Sequence, residues 1–195
     1  MPASGASPKH ELVEELRDYY EQIENIQEDA QELTAPLNDA QFNWRPAANH
    51  WSISECLAHL NVVNGKDLPL IASQIERARA EGWTGRGPFH YGFMSRRFVT
   101  FMDAPPKFRI KAPKVYLPPA GNKKDEVLAE FLSIHSRILE LLAKSNGLDL
   151  ARIKVPSPAA PVKFSLGQRF ALVAAHDRRH LWQAWQVRKN SNFPV

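Results

Sequence analysis

The chain has 195 residues, 44% of them apolar, a formal net charge of +4 and one cysteine, Cys56. That length suits one domain with a full core, and a lone cysteine excludes an internal disulfide framework. No run approaches the roughly 20 apolar residues of a membrane span, so the expectation is a cytoplasmic protein with no membrane partner.

Residues 1–8 are small, polar and proline-punctuated and read as a flexible tail, leaving 9–195 as a single domain. From Lys9 to about Leu33, the apolar residues Leu12, Leu16, Tyr19, Ile23, Ile26, Ala30 and Leu33 recur in steps of three and four. That spacing predicts a helix with one buried stripe, opposite an acidic face that includes Glu14, Asp18, Glu21 and Glu28. Pro36 ends it, and Phe42 to Pro46 read as a loop leading to Trp51.

Ser52-Ile53-Ser54-Glu55 is a capping box, the clearest helix start in the chain. The second helix runs from there towards Glu81, with Cys56, His59 and Val63 on one side and Leu57, Leu60, Ile71 and Ile75 continuing the buried surface. Pro69 removes an amide donor and predicts a kink beyond His59. Gly82 to Asn122 is irregular, with a short helix expected at Phe93 to Met102. So long a connection inside a compact domain usually packs as a lid or wall.

Lys107, Arg109, Lys111, Lys114, Lys123 and Lys124 cluster in this segment. They read as an ordinary solvated basic loop, because no aromatic platforms or nucleic-acid motif accompany them.

Asn122 is the expected cap of a third helix through about Ser145, whose core face is Val127, Phe131, Ile134, Ile138, Leu141 and Leu142. Asn146-Gly147 ends it, and Val155 to Phe164 read as a second proline-rich loop. Ser165-Leu166-Gly167-Gln168 reads as another capping box, opening a last helix to about Lys189. Four long helices without strand alternation indicate an all-α four-helix bundle, with long irregular loops between the second and third helices and between the third and fourth.

The last helix carries His176-Asp177-Arg178-Arg179-His180. Histidines four apart on a helix point the same way and can share one metal ion, so a third ligand is sought elsewhere. His10, His50 and His90 fall outside or at the edge of helices. His59 and His135 are the competitors, and His135 is the weaker because it borders a mid-helix core stripe where a hydrogen bond would satisfy it. A zinc-protease H-E-x-x-H reading fails: Asp177 is too short for the expected base, and no His, Asp or Glu follows His180.

Trp44-Arg45-Pro46, then Trp51-Ser52-Ile53-Ser54-Glu55 with Leu57-Ala58-His59-Leu60, then His176-Asp177-Arg178-Arg179-His180 with Gln183, together resemble the DinB-like superfamily of bacterial four-helix proteins. The resemblance implies a helical bundle in which His59, His176 and His180 bind a divalent metal, nickel or zinc foremost and iron next. It also implies a homodimer and, by analogy with some relatives, transfer or isomerisation through a low-molecular-weight thiol.

Three imidazoles with open positions would suit such chemistry, because a metal-bound thiol ionises near neutral pH. Asp177 and Gln183 are candidate supports for the metal shell. Their plainer readings are a pair between Asp177 and Arg178 or another surface cation, and a helix-bridging role for Gln183. Cys56 reads as a small buried hydrophobe. Trp44, Trp51, Trp182 and Trp185 read as core and rim packing. The alternatives are a hydrolase using metal-bound water, a non-catalytic metal or small-ligand binding protein, and last a nucleic-acid binder; the expected partner is a small molecule.

Overall fold

A computed structural model describes residues 8–108 and 111–195, so most of the expected tail, and Arg109 of the basic cluster, lie outside the described residues. Among them the chain is mostly helical, with six α-helices: α1 (Glu14–Thr34), α2 (Asp39–Asn43), α3 (Ile53–Ala80), α4 (Phe93–Met102), α5 (Lys124–Lys144) and α6 (Leu166–Arg188). One small antiparallel hairpin, β1 (Lys154–Pro156) and β2 (Lys163–Ser165), precedes α6. No helix among the described residues is long and apolar enough to cross a membrane.

The four long helices pack as a ring in which α1 touches α5 and α6, and α3 touches the same two. Directions follow from their ties. Asn61 near the start of α3 donates to the Val127 carbonyl near the start of α5, and Arg79 at the end of α3 donates to the Lys144 carbonyl at the end of α5, so α3 and α5 run parallel. Parallel neighbours cannot be joined by a short turn, because the chain must first travel back along the helix length. The long connection from 81 to 123 is that return path, and α4, lying on it, packs against α6.

The expected core faces are buried: Leu16, Ile23, Ile26, Ala30 and Leu33 on α1, and Val127, Phe131, Ile134, Ile138, Leu141 and Leu142 on α5. The Ser52–Glu55 capping box forms in both directions, and Arg45 pairs with the Glu55 carboxylate through Nε and Nη2. Helix α3 continues through Pro69. Helix α4 has the expected bounds.

Several local expectations need correction. Helix α1 begins at Glu14, not Lys9, because Pro8–Glu11 form a 3-10 turn; the side chain of Asn146 then accepts from the Val13 amide and donates to the Glu11 carbonyl, fixing the entry. The stretch read as loop before Trp51 contains α2, capped reciprocally by Asn38 and Gln41. Asn122 does not cap α5; the Asp39 carboxylate, arriving from α2, accepts from the Lys124 amide instead. The Ser165 hydroxyl donates to the Gln168 side-chain oxygen, so the second capping box is absent. Val155 to Phe164 is not simply a proline-rich loop: buried Val155 pairs with Phe164 across the hairpin, and Pro156 occupies a strand end, where its missing amide is tolerated.

Candidate metal centre

Helices α3 and α6 meet antiparallel, which sets the first turns of α3 beside the later turns of α6. His59 is there, on a stretch buried from Ile53 to Asn61, and opposite it stand His176 and His180. One ligand atom from each of the three rings lies within 4.8 Å of the others. The ring centroids are 4.6 Å apart for His59 and His180, 4.6 Å for His176 and His180, and 5.2 Å for His59 and His176. Three histidines could therefore hold one metal ion, and no fourth His, Cys, Asp or Glu joins the group among the described residues.

Two of the rings are oriented from behind. Nδ1 of His59 donates to the Tyr116 carbonyl at 2.7 Å, and Nδ1 of His180 donates to Oε1 of Gln183 at 3.1 Å. Each bond fixes the tautomer that keeps a lone pair on Nε2, the arrangement usual for a metal-binding imidazole. Trp51 walls the site, its ring 4.9 Å from that of His59 and 5.6 Å from that of His180.

Electrostatics keep the rings neutral. Burial pushes His59 down, against the pull of the Tyr116 carbonyl and Asp177. Burial, then the neighbouring His59, holds His176 down to about 4. Burial, followed by His176 and His59, holds His180 well below its ordinary value. An imidazole must be neutral to offer its lone pair, so the donor set fits a divalent cation.

The sign for pH follows. The unfolded rings take protons below about 6.5 while the folded rings refuse them, so stability present above that pH is lost as pH falls from there towards 4. Metal affinity of the folded protein should hold through most of that window and fall as pH nears about 4, where protons begin to compete for the lone pair of His176. Thermal unfolding of the metal-free protein at pH 7 and pH 5 is expected to show the lower midpoint at pH 5; equal midpoints would contradict it.

The five residues from His176 to His180 point to different neighbours as the helix turns 100° per residue. Asp177, fully buried, accepts from Nδ2 of Asn64 on α3 at 3.0 and 3.2 Å and meets Nε2 of His135 on α5 at 2.9 Å. It shares no hydrogen bond with the three rings, and it does not pair with Arg178 as the sequence suggested. Arg178 forks onto Asp103, at 3.0 and 2.6 Å, and also donates to Gln22. Arg179 donates to the carbonyls of Phe101 and Phe108, at 3.2 and 2.7 Å. The two arginines thus strap the long connection to the helix that carries His176 and His180.

His135 also meets the Phe131 carbonyl through Nδ1 at 2.7 Å, so both of its nitrogens are occupied inside the core. Cys56 is buried, its thiol pushed up by burial, and it packs in the hydrophobic core.

The family model described as "DinB superfamily" matches residues 22–184. The chain belongs to the DinB superfamily. No curated protein and no solved structure matches it.

Within this DinB-superfamily chain, sequence reasoning missed Tyr116, Asn64 and the placing of Trp51. Tyr116 contributes a backbone carbonyl, which any residue type offers, so its identity carries no signal. Trp51 stands directly before the Ser52 cap, and that position was the available clue. Gln183→Ala should leave the fold intact and weaken metal binding by roughly 10- to 100-fold, as loss of an outer-shell partner does; unchanged affinity in a chelator competition would show that Gln183 does not orient His180.

Proposed function

We propose that the protein is a divalent-metal-dependent enzyme of the thiol-using kind, an S-transferase or isomerase. In this reading the four long helices form a four-helix bundle within one domain, and His59, His176 and His180 hold nickel or zinc, with iron as the further candidate. The observation that carries the reading is three neutral imidazoles, two buried and that of His176 half-buried, converging without a fourth protein ligand among the described residues. Closed structural sites generally supply four ligands, whereas catalytic sites supply three and leave a place for the reactant. When bound, such a metal would lower the pKa of a coordinated thiol or water.

The residues around the rings favour the thiol over water. Hydrolysis calls for a positioned general base, and no acid among the described residues joins the group of three rings. Glu55 is held by Arg45 and the Ser52 amide, and Asp177 by His135 and Asn64. Asp67, whose carboxyl burial lifts to about 6, has one oxygen 3.3 Å from Arg169 and the other without a hydrogen-bond partner, but it is not part of the group that the three rings form. A thiolate arrives as its own nucleophile and needs no such base. The chain's part is to orient His59 and His180 from behind, to exclude water with Trp51, and to keep all three rings unprotonated.

The small-molecule partner and the homodimer belong to this proposal on the resemblance alone. The test is turnover of electrophilic small molecules by metal-loaded protein with and without low-molecular-weight thiols. Thiol-dependent turnover lost in His59→Ala is the expected result. Ester or amide cleavage without thiol would favour the hydrolase, and tight metal binding with no turnover across a broad panel would favour a binding protein.

A further inference from the structure

The return path between α3 and α5 carries most of the exposed large apolar side chains among the described residues. No residue of α4 is buried. Phe93 is 64% exposed, Met94 76% and Phe108 67%, and Phe98 and Phe101 are also open to solvent. Two ring pairs lie on it: Phe101 is 6.5 Å from Phe108, and Phe98 stacks on Phe164 of β2 at 5.7 Å. Around the helix axis Phe93, Met94, Phe98 and Phe101 fall on one side, with Ser95, Val99 and Met102, each less exposed, on the other. Exposed patches of large apolar side chains are uncommon on soluble proteins and mark a surface meant to be covered.

The rim says what covers it. Arg96 and Arg97 stand on α4 itself, the Arg97 guanidinium 5.7 Å from the Phe93 ring. Lys107, Lys111 and Lys114 follow, all exposed. Between Glu81 and Asp125 the sequence has one acid, Asp103, and that carboxylate is already spent on Arg178. The basic run that reads from sequence as a plain solvated loop therefore has aromatic side chains beside it after all. A two-fold contact between copies through this face would set the cationic rim against itself, which costs energy. An anionic partner with an apolar interior meets both features at once: hydrocarbon for Phe93, Met94 and Phe108, and negative head groups for the cations.

We propose that the outer face of α4, with the exposed Lys107, Lys111 and Lys114, docks the protein on an anionic lipid surface. It lies on the membrane and does not span it. Because Arg178 and Arg179 tie this segment to α6, docking brings the histidine site to the membrane boundary. The inference is independent of the thiol reading and stands or falls apart from it.

The experiment is co-sedimentation of the full chain with phosphatidylcholine vesicles, with and without phosphatidylglycerol, at low and high salt. Binding to the phosphatidylglycerol vesicles alone, released by salt, is expected. Arg96→Gln with Arg97→Gln should weaken partitioning roughly 25-fold, about fivefold per cation. Phe93→Ser with Met94→Ser should weaken it at least tenfold, with the helical circular dichroism of both variants unchanged. Absence of binding to anionic vesicles, or equal binding by both variants and the parent, overturns the proposal. It also falls if Phe93→Ser with Met94→Ser turns a dimer into a monomer in sedimentation equilibrium without lipid, since a second copy then covers the face. Tighter, variant-sensitive binding to duplex DNA than to vesicles would reassign the face to nucleic acid.

Discussion

Asp177→Ala is expected to destabilise the protein by about 2–6 kcal/mol, since it leaves two buried donors without their acceptor at about 1–3 kcal/mol each. Asp177 and His135 are both 0% exposed, and Asp177 is the acceptor for His135 Nε2 and for Asn64 Nδ2. Truncation strands both donors in the core, where water does not replace the lost oxygen. The contact also spans the ring of helices, since α6 meets α5 and α3 at this one carboxylate. Asp177→Asn supplies the control: its amide oxygen can still accept from His135 and Asn64 can turn to suit, so a much smaller loss is expected. Urea denaturation of the metal-free proteins reads both, and similar midpoints for Asp177→Ala and the parent would refute the account.

His180→Ala is expected to lower metal affinity by more than the roughly 10- to 100-fold that loss of an outer-shell partner costs, because it removes a ligand outright. The position is a clean one for the test. The hydrogen bond of His180 goes to Gln183 on the same helix, so its removal breaks no tie between helices. His59→Ala should match it in affinity but also frees the Tyr116 carbonyl, which adds a cost in stability. Chelator competition measures the first effect and thermal unfolding the second. A His180→Ala protein that binds nickel or zinc as tightly as the parent would remove that ring from the site.

How much of this was legible in the sequence depends on whether a feature is local. The buried faces of α1 and α5 follow from helical periodicity, and the start of α3 from a capping box whose partners are three residues apart. His176 and His180 share a face by spacing alone. The misread ends are those fixed from a distance: Asn146 anchors the start of α1, and Asp39 serves the first turn of α5. No local pattern announces a cap supplied from another helix. The inward turn of Asp177 was hidden for the same reason, because two adjacent arginines offer it nearer partners in sequence than Asn64 or His135. Composition alone could not show whether the phenylalanines from Phe93 to Phe108 pack inward or face solvent.

The most direct test of the central claim is elemental analysis of protein purified without a histidine tag, beside His180→Ala that still folds. The account predicts close to one divalent ion per chain in the parent and almost none in the variant. A parent that carries no metal, and takes up none when nickel, zinc or iron is supplied, would contradict it.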